Sequence, residues 1–219
     1  MERELEIVRP VYIIDTDKEA DEGENTEYFK PYSRTKQIFY SLPEGSTLYL
    51  GMSNVQYVDW FFALMTVGEI QNAKAAGTHS STVYRKHLVV KEPRRLVLKE
   101  ITKMVDDYSN CFLHLDQGGA LSVSGRKVTK SKSKLLLIDR LLSGGIENVS
   151  AGNVRESIFP NRSEQAVSYI LRELAYCGVL IEKNEKYGQG RPLKLYSPYW
   201  PSHAKSWEIG GEIYKRADA

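Results

Sequence analysis

The chain has 219 residues, 42% of them apolar, with 30 lysines and arginines against 28 acidic residues and a formal net charge of +2. That is enough apolar material for two modest cores, and no stretch approaches the 18 uninterrupted apolar residues of a membrane-spanning helix. The start, Met1-Glu2-Arg3-Glu4-Leu5-Glu6, lacks the basic end and apolar centre of a secretion signal, so a cytoplasmic protein with no membrane partner is expected.

The first half alternates strand and helix signals. Arg9 to Ile14 reads as a strand ending at Asp15, followed by an acidic, glycine-containing loop from Asp15 to Glu27. Ser46 to Gly51 is a second strand, after which Ser53 or Asn54 caps a helix with Val55, Val58, Phe61, Phe62 and Met65 turned inward and Gly77 at its end. Thr82 to Tyr84 and His87 to Val90 form a third strand region. Pro93 opens a helix whose buried stripe is Val97, Ile101, Met104, Val105 and Tyr108. Cys111 to Leu115 and Ala120 to Val123 are short further strands. Strands alternating with helices predict an α/β domain over residues 1–125, with a small parallel or mixed sheet.

Ligands of such sheets gather at the carboxyl ends of strands. Asp15, the Gly51-Met52-Ser53-Asn54 turn and the Asp116-Gln117-Gly118-Gly119 turn are the three ends available, and Asp15, Ser53, Asn54 and Asp116 are the candidate contacts for a small effector. No phosphate-binding glycine motif is present. The Leu50-Gly51-Met52-Ser53-Asn54 string is similar to the glycine-serine-asparagine turn of phospholipase-D-like phosphodiesterases. Tyr32-Ser33-Arg34-Thr35-Lys36 stands where their histidine-x-lysine signature belongs, so no catalysis is expected from it. His114, amid apolar neighbours, reads as a core residue. His79, His87, His114 and His203 are scattered, no cysteine or histidine spacing suits zinc, and neither metal nor cofactor is expected. Cys111 and Cys177 read as buried thiols of a reducing compartment, with a disulfide left open.

The second half has a different pattern. Ser131 to Lys134 is a polar start, Leu135, Leu136, Ile138, Leu141 and Leu142 make an apolar face, and Ser143-Gly144-Gly145 stops the helix. Asn148-Val149-Ser150 suits a short strand, with Ser150 capping a second helix whose Val154 and Ile158 face inward. After Pro160-Asn161, Ser163 caps a longer helix with Ala166, Val167, Ile170, Leu171, Leu174 and Cys177 on one face and Gly178 at its end. Its other face carries Gln165, Ser168, Tyr169 and Arg172, side chains that reach base edges and phosphates. Val179 to Ile181 and Leu193 to Tyr196 are strands joined by a basic, glycine-rich tip that holds Lys183, Lys186, Gly188, Gly190 and Arg191. Charge follows this division: Arg126 to Tyr196 carries 13 lysines and arginines against 7 acids, while the first 125 residues carry 14 against 18.

From about Lys130 to Trp200 this order resembles the winged helix-turn-helix superfamily of DNA-binding proteins. The resemblance implies a winged-helix domain over 126–200 followed by a tail over 201–219. Double-stranded DNA would then be met by Arg162, Ser163, Gln165, Ser168, Tyr169 and Arg172 on and before the long helix, and by Lys183, Lys186, Arg191 and Lys194 on the hairpin. It further implies a sequence-specific transcriptional regulator, not an enzyme, acting as a homodimer with the first domain as sensor. The alternative is a DNA-processing, replication or partition factor, in its extreme form a metal-dependent nuclease using Asp15, Asp17, Lys91 and Asp116.

Overall fold

The computed structural model describes residues 2–6, 35–76, 85–185 and 192–215. The expected strand over 9–14, the acidic loop after it, the segment 77–84 and the hairpin tip lie outside these residues. In chain order the elements are β1 (Glu2–Glu6), α1 (35–41), β2 (Thr47–Gly51), α2 (Trp60–Ala63), a π-helical segment (Leu64–Gly68), α3 (Glu69–Ala76), β3 (His87–Lys91), α4 (Arg95–Asp107), β4 (Phe112–Leu115) and β5 (Ala120–Ser124). Then come α5 (Arg126–Thr129), α6 (Lys132–Ser143), α7 (Ala151–Ser157), α8 (Glu164–Tyr176), β6 (Leu180–Glu185), β7 (Leu193–Pro198), β8 (Ser206–Ile209) and β9 (Glu212–Lys215).

Seven strands form one mixed sheet in the order β1-β2-β3-β4-β5-β8-β9. The first four are parallel, β5 returns antiparallel to β4, and β8 runs parallel to β5. Alternate side chains of a strand face opposite ways, and here both faces are buried. Leu48, Leu50, Leu88, Val90 and Phe112 join the core formed by α1 to α4, where Phe39, Phe62, Ile70, Val97 and Ile101 pack. Tyr49, Val89, Leu113, Leu115, Leu121 and Val123 join a second core on the opposite face, filled by Leu137, Ile138, Leu141, Leu171 and Leu174 from α6 and α8. The result is a mixed α/β protein of three layers: helices, sheet, helices.

The segment expected to be a tail departs from that expectation. Residues 206–215 return to the sheet, where Trp207 pairs with Leu121, is fully buried and donates from Nε1 to the Tyr199 carbonyl at 2.8 Å. The second core therefore draws on sheet strands from the first half, helices from the second and a strand from the C-terminal end. Alternation within β8 is only two residues deep, too short to announce itself against the polar residues around it.

Three other differences concern particular residues. The helix after β2 begins at Trp60, not near Ser53, because Asp59 supplies the cap by accepting from the Phe62 amide at 2.6 Å. Phe61 consequently faces solvent, 41% exposed, while Phe62 is buried. The helix then widens into a π turn ending at Gly68, where a Cβ would come within 2.7 Å of the Met104 sulfur of α4. Most directly, Cys111 and Cys177 are joined in a disulfide, with Cα atoms 5.7 Å apart, in place of the two free thiols expected. The cysteines belong to different halves of the chain, and only the packing of α8 on the sheet brings them together.

Beside that link is an unusual residue. Lys74 of α3 is 1% exposed and its Nζ has no hydrogen-bond partner. Burial pushes its pKa down to about 7. His87 of β3, stacked on Tyr199 at 3.9 Å, is held neutral first by burial and then by the Lys74 charge.

Two outcomes follow from this packing. Trp207→Ala should destabilise the whole protein by about 3–5 kcal/mol in denaturant titration, since it empties a shared core, with both halves unfolding in one transition. Lys74 binds a proton less readily folded than unfolded, so its contribution to stability should rise as pH rises from about 7 toward 10.5 and be constant below about 7. Lys74→Met should therefore stabilise the protein by roughly 4 kcal/mol at pH 7. That advantage should shrink steadily when the same titrations are repeated up to pH 9.5.

Candidate nucleic-acid interface

The second helical layer is built from local signals that the sequence states openly. Ser150 caps α7 in a reciprocal pair: its hydroxyl accepts from the Asn153 amide at 3.2 Å, and Asn153 Oδ1 accepts from the Ser150 amide at 3.2 Å. Ser163 caps α8 by accepting from the Ala166 amide. Val149, just before α7, bridges antiparallel to Tyr196 of β7, with amide-carbonyl bonds of 2.9 Å in both directions. Gly178 ends α8 at φ +81°, a conformation that suits glycine at a helix end. The chain then enters the β6–β7 hairpin.

On α8, Val167, Ile170, Leu171 and Leu174 are buried. Gln165, Tyr169 and Arg172 are exposed on the other side and Ser168 is half-buried, so four expected contacts share one accessible helix face. The Arg172 guanidinium lies 5.8 Å from the Tyr169 ring centroid. Arg162, in the turn before α8, lies 5.2 Å from the Phe159 ring and donates to Ser133 Oγ at 2.7 Å. That bond ties the α7–α8 turn to the first turn of α6, so Arg162 is positioned as well as exposed. Ser163 is spent on capping. Lys183 of β6 is exposed. Lys194 is partly committed, because its Nζ donates at 2.7 Å to Glu182, whose side chain is 2% exposed. Tyr196 donates to the other Glu182 oxygen at 3.0 Å; burial, then the Glu182 charge, raises the Tyr196 hydroxyl well above its usual range. Lys186 and Arg191 lie outside the described residues.

Residue-type reasoning does not reveal what holds α8 in place. Glu173, on its flank, accepts from Lys134 of α6 at 2.8 Å and lies 3.5 Å from Lys127 of α5. Burial alone would raise this carboxyl; the Lys134 hydrogen bond and charge, then Lys127, then the Tyr169 hydroxyl, outweigh it and hold it below the ordinary range. The same Glu173 keeps Tyr169 protonated. Lys127 and Lys134 of the basic run 126–134 are thus structural, whereas Lys130 and Lys132 are exposed on the surface.

Ser53, Asn54 and Asp116 follow the carboxyl ends of the parallel strands β2 and β4. Ser53 is half-buried and Asn54 exposed after β2. Arg94 Nε donates to the Ser53 carbonyl at 3.3 Å. Asp116, after β4, is exposed and closes its own turn by accepting from the Ala120 amide at 2.8 Å. β3 lies between them, which sets the two turns about 10 Å apart. Strand order never reverses across β1 to β4, and α1 to α4 cover the same face, so the crevice of a doubly wound sheet does not form there. Asp15 lies outside the described residues. Among the described residues no three histidine, cysteine or acidic side chains converge as for a metal, and no helix is long and apolar enough to cross a membrane. His114, inside β4, is pushed down to about 4 chiefly by burial and is neutral at pH 7, in keeping with a packing role.

No family profile, no curated protein and no solved structure matches this chain.

Glu173→Gln removes the charged partner of a nearly buried ammonium, Lys134, and leaves it the Lys127 carbonyl at 2.8 Å. It should cost about 1–3 kcal/mol in urea titration, whereas Lys127→Gln, which loses a longer and more exposed contact, should cost under about 1 kcal/mol. Equal effects would mean that Lys134 does not depend on Glu173.

Proposed function

We propose that residues 126–200 are a winged helix-turn-helix that binds double-stranded DNA, and that the protein is a sequence-specific regulator. The observation that carries this reading is the Val149–Tyr196 bridge. It adds a short third strand to the β6–β7 hairpin and brackets α7 and α8 between that strand and the hairpin. The strand–helix–turn–helix–hairpin order leaves α8 with its polar N-terminal half outward, as insertion into a major groove requires. The basic balance of this segment supports it. Gln165, Ser168, Tyr169 and Arg172 are the base-reading candidates; Arg162 and Lys183, with Lys130 and Lys132, address phosphates. A second copy would be recruited through the exposed Trp60 and Phe61, and the pair would set the spacing of two half-sites.

The test is fluorescence anisotropy of the full chain on duplexes selected from a random library. Binding should weaken steeply with salt. Arg172→Ala and Gln165→Ala should each relax sequence preference at about 1–3 kcal/mol per lost base contact, while Lys183→Ala should weaken all duplexes alike. A chain that selects no duplex at low salt, or α8 variants that select and bind as the parent does, would overturn the reading.

A further inference from the structure

The Cys111–Cys177 link has surroundings that a purely structural disulfide does not need. Cys177 is the C-terminal cap of α8 and Cys111 leads into β4; the two are 4% and 1% exposed. Gly178 directly follows Cys177. A Cβ placed on Gly178 would lie 3.4 Å from Lys74 Nζ and 3.5 Å from His87 Nδ1. An amine from α3 and an imidazole from β3 thus converge on the residue next to the disulfide; Lys74 Nζ has no hydrogen-bond partner, while His87 interacts with the Gly178 backbone. Of the other polar groups in this region, Tyr199 bonds Thr47 at 2.5 Å, Asn110 bonds Asn72 at 2.5 Å, and Glu173, one turn earlier on α8, is held by Lys134, while Gln71 Nε2 of α3 and Ser46 Oγ are buried without a partner. Among the described residues no carboxylate pairs with Lys74. A buried amine without a partner is costly, and it is hard to account for in the oxidised protein alone.

We propose that Cys111–Cys177 is a reversible redox centre and that Lys74 is the proton acceptor and counter-charge for the thiolate that reduction releases. An external dithiol supplies two electrons and two protons. Its own S–S bond forms as the Cys111–Cys177 bond breaks, leaving two protein thiols. One thiol then passes its proton to the Lys74 amine, and an ammonium–thiolate pair replaces an unpartnered amine. Stabilising one thiolate favours the reduced form. The oxidised state closes the two faces of the contact between α8 and the sheet; the reduced state replaces a covalent tie by an ion pair at the same place. This holds whether or not the protein binds DNA.

The experiment equilibrates the full chain with defined ratios of reduced and oxidised dithiothreitol, approached from both directions, and counts the reduced fraction. Lys74→Met, which should fold at least as well as the parent, should lower the equilibrium constant for reduction tenfold or more. In parallel, thiolate absorbance near 240 nm is followed against pH in the reduced parent and in Cys111→Ser, which retains a single thiol. Absorbance should develop well below the usual thiol range of about 8.5 and should vanish at neutral pH when Lys74→Met is added. An unchanged equilibrium constant in Lys74→Met, or thiols that ionise at or above the usual range in the parent, would overturn the proposal.

Discussion

Everything in this molecule depends on a sheet that must be covered twice. β2 is buried along its whole length, and Leu48 and Leu50 point one way while Tyr49 points the other. Neither face can be left to water: at about 25 cal/mol per Å² of apolar surface, an uncovered face would cancel much of what the other contributes. The first four helices cover one side because they are the connections between parallel strands. Covering the other is the task of α6 to α8. The buried stripe of α8 fixes its roll, and its outward residues follow from that roll.

Charge is distributed by the same logic. Lys134 and Lys127 grip Glu173, and Lys194 grips a nearly buried Glu182, so several cations of the basic half act inward, as fasteners between α5, α6, α8 and the hairpin. Partly buried pairs of this kind add rigidity more than net stability. The cations left outward, Arg162, Arg172, Lys130, Lys132 and Lys183 among them, stand on elements held firm by the inward ones. A count of basic residues therefore overstates the charge that a partner would meet, and the positions of those that remain are better defined than their flexibility would suggest.

Much of this was legible beforehand and the remainder was not, for physical reasons. Ser150, Ser163 and Gly178 act through the backbone within one helical turn, and each ends or begins its helix where residue type predicts. Val97, Ile101, Met104 and Val105 repeat at helical spacing over three turns and bury together. Asp59 caps the helix in place of Ser53 or Asn54, accepting from the Phe62 amide one turn further on, and residue type alone does not choose among three such capping residues. The disulfide, the Lys134–Glu173 pair and the Trp207 strand join residues tens of positions apart, and no local pattern encodes which distant partner a side chain will meet. What the alternation of strands and helices could not convey was that α1 to α4 stay on one face of the sheet.

The last strands carry a consequence for how the molecule is made. β5 is an interior strand only because β8 lies beside it, and Trp207 plugs the second core from the far end of the chain. While the polypeptide is still on the ribosome, β5 is an open edge and the lower core lacks its largest side chain. Exposed edges pair with other chains, and domains of this length are vulnerable while incomplete. β8 must therefore emerge from the ribosome before the sheet can close on that side, and a chain stalled before residue 206 is left open along β5.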